Sequence, residues 1–403
     1  MTRIYPFRPY RYTAQAGAIG NLVTQPYDKI PPAKQTRYLA LSPNNLVHII
    51  LGERFPADTD KDNVYTRSAG FLNQWIASGV LAQDPEPGLY AYFQEFPVPD
   101  TGEHLVRKGF IGLGPVEEYS AGIVHRHEQT LTGPKKDRLE LLRHTQAHFG
   151  QIFMLYPDRD LAVDLQLDAA AAASAPLINV TDEYGTVNRL WKIPDAGPIQ
   201  QLMADKNLLI ADGHHRYETA LAFRKENPNL AGADRVMMTF VNMYSPGLRI
   251  LATHRVVRNA PFFHAAEMPG EPLRSLDELK RVFSVPDPGR LRIGIVTKTG
   301  IQLFDRPRRT GELDVQFLHE HFLRLALGID EEAVRDEQHL EYVRSLDTAY
   351  DRVQTGEGQV AFLLEPTLIE HVAEVAFSGG VMPQKSTDFY PKLLSGLTIY
   401  KVE

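Results

Sequence analysis

Leu209-Ile210-Ala211-Asp212-Gly213-His214-His215-Arg216-Tyr217-Glu218-Thr219-Ala220 is the stretch on which the reading of this 403-residue chain turns. It begins in a short apolar strand, Asn207–Ala211, passes through a loop, Asp212–His215, and enters a helix from about Arg216 to Glu226, closed by Asn227-Pro228. Two strands follow, Arg235–Tyr244 and Arg249–Val257, joined by Ser245-Pro246-Gly247, so the local order is strand, helix, strand, strand. A strand that delivers the chain to a glycine, with a helix starting at once, aims backbone N–H groups and the positive end of the helix dipole at the loop. Such a turn is a ready anion site. Gly213 allows close approach of a ligand to the backbone, and His214, His215 and Arg216 add donors suited to phosphate, the guanidinium as a fork. Asp212, beside these cations, suits Mg²⁺ binding or proton removal from a hydroxyl. The bland alternative makes Asp212 a helix cap and the histidines partly buried polar residues. Asp, Gly, two His and Arg in five consecutive positions favour function.

Upstream, His125-Arg126-His127-Glu128-Gln129-Thr130 and Gly133-Pro134-Lys135-Lys136-Asp137-Arg138 lead into a helix predicted over Asp137–His148. Glu128 offers a second carboxylate, and Lys135 and Arg138 offer charge against phosphate; a solvated charged loop reads equally well. His144 and His148 are four apart, a spacing that can bind zinc, but no third ligand accompanies them and a packing role is preferred. Downstream, Thr253-His254-Arg255 closes a strand and is a candidate for the same pocket. The runs Met382-Pro383-Gln384-Lys385-Ser386-Thr387 and Pro391-Lys392-Leu393-Leu394-Ser395-Gly396-Leu397 read either as a loop folded over a site or as a solvated tail. Gln25-Pro26-Tyr27-Asp28 is undecided.

Elsewhere helices and strands alternate: a helix over Val64–Leu81, a hairpin of Leu89–Phe96 with Leu105–Leu113, a strand Ile152–Tyr156, and helices near Leu276–Phe283, Val315–Leu327 and Leu346–Val353. A hairpin turns at Lys298-Thr299-Gly300, and a strand covers Gln359–Leu364. The fold class is α/β or α+β with a mixed-sheet core. The length suits more than one domain, divided as 1–115, 116–260 with the Asp-Gly-His-His-Arg turn, and 261–403 returning to the site.

Composition narrows the function. A net charge of -7 argues against a nucleic-acid partner, and no stretch is apolar enough to span a membrane; the alanine-rich run Leu161–Val180 carries Asp164 and Asp168 and reads as a surface helix. With no cysteine there is no disulfide, thiolate zinc site or cysteine nucleophile, in keeping with a cytoplasmic protein. A G-x-x-x-x-G-K-[ST] loop, an H-E-x-x-H helix and a G-x-S-x-G elbow are all missing.

Pro26-Tyr27-Asp28, Asn45-Leu46-Val47-His48, His127-Glu128-x-Thr130, Asp137-Arg138, Ala211-Asp212-Gly213-His214-His215-Arg216-Tyr217-Glu218, Thr253-His254-Arg255 and Met382–Thr387 run through nearly the whole chain in order. In them the sequence resembles the bacterial family catalogued as domain of unknown function 1015, a name that confers no activity. Over about a dozen residues the Asp-Gly-His-His-Arg turn also resembles the phosphate-binding turn of the ParB/sulfiredoxin-type fold, which includes nucleotide-dependent free L-serine kinases. Sulfiredoxin's catalytic cysteine has no counterpart here, and the acidic balance disfavours ParB's DNA binding. The resemblance therefore implies a central unit of that fold, and a small-molecule kinase making O-phosphoserine from free L-serine with ATP or ADP and Mg²⁺. His214, His215, Arg216 and the helix start would hold the donor phosphates, with Lys135 and Arg138 as further contacts. Asp212 and Glu128 would share proton abstraction and Mg²⁺ binding. His127, Thr130, His254, Arg255, Lys385, Ser386 and Thr387 are candidates for the substrate pocket. Two alternatives remain open: a non-catalytic sensor of a nucleotide or phosphometabolite, and a metal-dependent phosphohydrolase using Asp212 with His214 or His215.

Overall fold

The structure, a computed structural model, describes residues 2–99, 101–128 and 132–402. The chain is mixed α/β and divides into two compact units, one formed by residues up to Leu248 together with those from Pro391 onward, the other by Arg249–Tyr390.

The first unit is built on an eight-stranded mixed sheet. Its strand order is Val124–His125, Leu208–Asp212, Ile152–Tyr156, Arg235–Asn242, His104–Pro115, Tyr90–Pro97, Val187–Lys192 and Ile178–Thr181. The expected hairpin forms, with Tyr90 opposite Ile111. Strand alternation gives the sheet two unlike faces. Ile152, Met154, Tyr156, Phe110, Met238 and Phe240 pack one face against Val163 and Leu167, Ile199 and Met203, and Tyr217 and Ala220, from helices Ala162–Ala173, Gly197–Met203 and His214–Glu226. The other face carries buried polar groups. There Gln94 Nε2 donates to Lys392 O at 3.0 Å, Arg107 Nη2 donates to Pro391 O at 2.5 Å, and the Leu394 N–H donates to the Tyr92 hydroxyl at 3.3 Å. The segment after Pro391 is thus held against the sheet by hydrogen bonds its own carbonyls and amides complete.

The second unit centres on a six-stranded sheet in the order Glu271–Leu273, Gly300–Pro307, Arg290–Thr297, Val360–Leu364, His254–Val257 and Leu340–Val343, every pairing antiparallel. The helix read over Val315–Leu327 is an α-helical turn, Asp314–Phe317, that widens into a π-helix over Leu318–Ala326.

Several boundaries depart from the sequence reading. Arg249–Val257 is two strands: Arg249–Leu251 pairs with Asp388–Tyr390, whereas His254–Val257 joins the six-stranded sheet. The helix after Gly213 begins at His214, two residues earlier than read. Helix Thr132–Thr145 stops where Gln146 takes a φ of 49°, so His148 lies in a short strand opposite Tyr400 and shares no helical face with His144. The run from Leu161 holds helix Ala162–Ala173 and then strand Ile178–Thr181; Asp164 on that helix is buried and accepts from Asn242 Nδ2 at 3.2 Å.

Candidate functional site

Strand Leu208–Asp212 pairs antiparallel with Ile152–Tyr156, with Ile210 opposite Met154 but Asp212 opposite Phe153. Ala211 is therefore an extra residue, a bulge that re-aims the side chain following it. Asp212 is that side chain. Gly213 then turns the chain at φ +95°, a conformation that strains any L side chain, and a Cβ there would fall 3.0–3.1 Å from the Arg216 guanidinium. Gly213 caps the helix without a side-chain acceptor, so the first turn keeps its positive end directed at the loop.

Two cations meet on Asp212. Arg216 Nη2 donates to Oδ2 at 2.7 Å and Lys392 Nζ donates to Oδ1 at 3.0 Å. Arg216 is fixed further by Nη1, which donates to Gln151 O at 2.6 Å. The Lys392 and Asp212 side chains are 10% and 22% exposed, so the pair is largely shielded from water. Burial by itself pushes the Asp212 carboxyl up, but Lys392, Arg216 and Lys29 more than reverse this and hold it well below the usual carboxylate range. A carboxylate so stabilised is a weak proton acceptor. Its geometry suits it to holding Arg216 and Lys392 in place.

The histidines are unlike each other. His214 is buried; burial, reinforced by the neighbouring His127, drives its pKa well below 6.5, and its Nε2 has no hydrogen-bond partner among the described residues. The His127 ring meets it edge-on at 4.8 Å, and its Nδ1 is 2.8 Å from Ile210 O; burial lowers His127 to about 4. Both are neutral imidazoles at neutral pH. His215 is half-buried, and burial lowers it as well, opposed by Glu218 and Asp28. One turn along the helix, Glu218 pairs with Lys135 and stands 3.6 Å from Arg126 Nη1. Glu128 follows His127 in the chain and is half-buried. Thr130 lies outside the described residues.

Arg138 is engaged with Asp137 and with Ile50 O at 2.6 Å, and its guanidinium lies 4.1 Å over the Tyr27 ring. Tyr27 opens the short helical turn Tyr27–Lys29, the segment left undecided by sequence. Tyr27, Arg138, Leu142, Phe149, Arg216 and Ser395 line an open pocket whose empty space, open solvent included, is about 580 Å³. Its walls are mostly apolar, with two arginines on them.

Asp212, Gly213, His214, His215, Arg216, His127, Glu128, Lys135 and Arg138 all belong to the first unit. His254, Arg255, Lys385, Ser386 and Thr387 belong to the second. There, His254 Nδ1 accepts from the Leu364 N–H at 3.2 Å, and burial takes its pKa down to about 3. Arg255 is fully buried, lowered by burial to about 10, and donates to Thr253 O and, at 2.9 Å, to Lys385 O. Ser386 Oγ donates to Pro383 O at 2.6 Å.

Sequence reasoning missed Lys392, Lys29, Arg126, Gln151 and Glu218 as site residues. Lys392 lay in a run already suspected of folding over a site, and Glu218 within the decisive stretch, one turn beyond the residues singled out. Nothing local marks Gln151. The residues present do not fit an Mg²⁺ ion at Asp212: both carboxylate oxygens face cations, and among the described residues no three His, Asp or Glu converge on a metal position. Among those residues no helix is long and apolar enough to cross a membrane.

The first, mixed α/β unit thus places a bulged strand end, a glycine turn and paired cations beside a pocket. The chain belongs to the family described as protein of unknown function DUF1015, whose profile matches residues 4–349. No curated protein matches it in sequence. Among solved structures it is similar to a conserved hypothetical protein from Pyrococcus furiosus, at 13% identity over 66% of this chain and 87% of that one, with a TM-score of 0.34. It is also similar to a free serine kinase in complex with AMP, at 13% identity over 72% and 90%, TM-score 0.38. SbnI with a C-terminal truncation, from Staphylococcus aureus, is similar at 11% identity over 71% and 87%, TM-score 0.33. Likenesses this distant carry no assignment of activity.

Proposed function

We propose that this protein is a nucleotide-dependent small-molecule kinase that phosphorylates a hydroxyl acceptor, free L-serine being the acceptor of choice. One observation carries the reading. Asp212, on a bulged strand end, holds Arg216 from its own helix and Lys392 from 180 residues away, and Arg216 also walls the pocket containing Arg138 and Tyr27. Phosphoryl transfer asks mainly for charge neutralisation and alignment, which fixed cations supply. The apolar wall of Leu142 and Phe149 suits a nucleobase, and the helix start with Arg216 and Lys392 suits the donor phosphates.

In this scheme the acceptor oxygen attacks the terminal phosphorus of ATP or ADP, and the bond from that phosphorus to the bridging oxygen breaks. ADP or AMP leaves, and the hydroxyl proton passes to Glu128, the remaining carboxylate of the cluster read from the sequence. Asp212 positions the cations.

The engaged state of Asp212 favours one second reading, a sensor that binds the same phosphate-bearing ligand without turnover. Purified protein incubated with Mg²⁺, ATP or ADP and a pool of amino acids and hydroxy metabolites decides between them by mass spectrometry. A phosphorylated acceptor supports the kinase; nucleotide binding with no product from either nucleotide leaves the sensor.

A further inference from the structure

Gln151 is 1% exposed, and neither its side-chain oxygen nor its side-chain nitrogen has a hydrogen-bond partner among the described residues. A buried amide with both ends unmatched is rare, because each end forfeits its hydration without compensation. Its placement is as unusual. Gln151 immediately precedes strand Ile152–Tyr156, which lies between Leu208–Asp212 and Arg235–Asn242, and its own carbonyl accepts from Arg216 Nη1 at 2.6 Å. Gly150, Arg216 and Ser395 all line the pocket, so Gln151 lies one residue behind its wall. That wall has no side chain at Gly150, where a Cβ would fall 3.2 Å from both Arg216 Nη1 and Ser395 Oγ. By strand alternation Gln151 shares the polar face of Phe153, over which the Arg107 guanidinium lies at 4.5 Å. Thr239, the Cα partner of Phe153 on the next strand, is likewise buried with an unmatched hydroxyl.

We propose that Gln151 is a specificity-determining residue that reads the ammonium and carboxylate of the acceptor. This rests on the kinase reading and extends it. A carboxamide presents one acceptor and two donors on a rigid plane. A ligand that satisfies both ends carries a donor and an acceptor on neighbouring atoms, as the ammonium and carboxylate of an α-amino acid do. Among the described residues nothing matches the amide, and the bound acceptor completes it. A site of this kind discriminates strongly, since a ligand lacking either group leaves the buried amide unpaired.

The test uses Gln151→Met, which keeps the side chain's length and removes its polar atoms, beside Gln151→Glu, which keeps the acceptor and loses the donors. Without ligand, Gln151→Met raises Tm by about 2 °C, because an unmatched polar group leaves the interior. In steady-state assays with L-serine it raises the acceptor KM on the order of tenfold or more. The nucleotide KM stays within about twofold, since Arg216 bonds to the Gln151 backbone carbonyl, which the substitution keeps. Gln151→Glu also raises the acceptor KM, and its added negative charge acts against the substrate carboxylate. A lowered Tm in Gln151→Met with both KM values unchanged overturns the proposal: the amide would then be satisfied by bound water and would serve the fold. If the wild-type protein transfers no phosphoryl group, the kinase reading fails by itself, and the Tm comparison alone decides whether the amide is unmatched.

Discussion

The turn at Asp212 reads in the sequence as a phosphate site and the polar segment around Arg255 and Lys385 as part of a substrate pocket, yet the two spend their charges differently. At the turn, Arg216 and Lys392 converge on one carboxylate that holds them fixed, and Arg216 stands on a pocket wall. In the second unit, Arg255 is buried deeper and gives its donors to the backbone carbonyls of Thr253 and Lys385. A basic residue in a motif thus has two fates. It can tie one stretch of backbone to another, or it can be held ready beside a cavity, and only the partner atoms distinguish the two.

The largest effect is expected from Asp212→Asn. Removing the charge that faces both Arg216 and Lys392 costs about 2–3 kcal/mol of folding stability, measurable by chemical denaturation. Turnover falls at least about a hundredfold, while nucleotide affinity is retained because both cations remain. The pH dependence has a definite sign. The folded pKa of Asp212 lies below its unfolded value, so its stabilising contribution is complete above the ordinary aspartate range near about 4 and is lost as pH falls below it. Wild-type Tm should therefore decline more steeply than that of Asp212→Asn below about pH 4. Parallel curves would place the pair in solvent, where it contributes nothing.

Gly213→Ala comes next. It forces a side chain into φ +95° and presses a methyl group against the Arg216 guanidinium, at a cost of about 1–2 kcal/mol. Displacement of Arg216 should weaken ADP binding in the same variant, whereas loss of stability with intact ADP affinity would separate the turn from the ligand. Glu218→Gln leaves Lys135 and Arg126 without their carboxylate and costs about 1 kcal/mol, seen as a small drop in Tm. The smallest effect belongs to the second unit. Lys385 holds a φ of 57°, and Lys385→Gly relieves that strain for a gain of up to about 0.5–1 kcal/mol. A clear loss there would mean that the Lys385 side chain contributes more than its backbone carbonyl does.

The strand, the glycine turn and the helix after it were legible in the sequence because these pieces are local. A strand, a glycine and a helix start fall within a dozen residues, and the structure adds the bulge at Ala211 that aims Asp212. The hairpin of Tyr90–Pro97 with His104–Pro115 was equally plain from alternation across a turn. What escaped depends on partners distant in sequence. No pattern near Lys392 indicates that it pairs with Asp212, and burial, which neutralises His214 and unmatches Gln151, has no local signature. The split of Arg249–Val257 was hidden because both halves are apolar enough to be strands, and only their different sheets separate them.

Equilibrium titration of ADP into wild-type protein and into Lys392→Met tests the central claim most directly, because Asp212 keeps Arg216 as a partner in that variant and the turn stays formed. Saturable binding to the wild type, weakened about tenfold or more by the substitution, is the expected result. Equal affinity in the two proteins, or no binding to either, would contradict an anion site at the Asp212 turn.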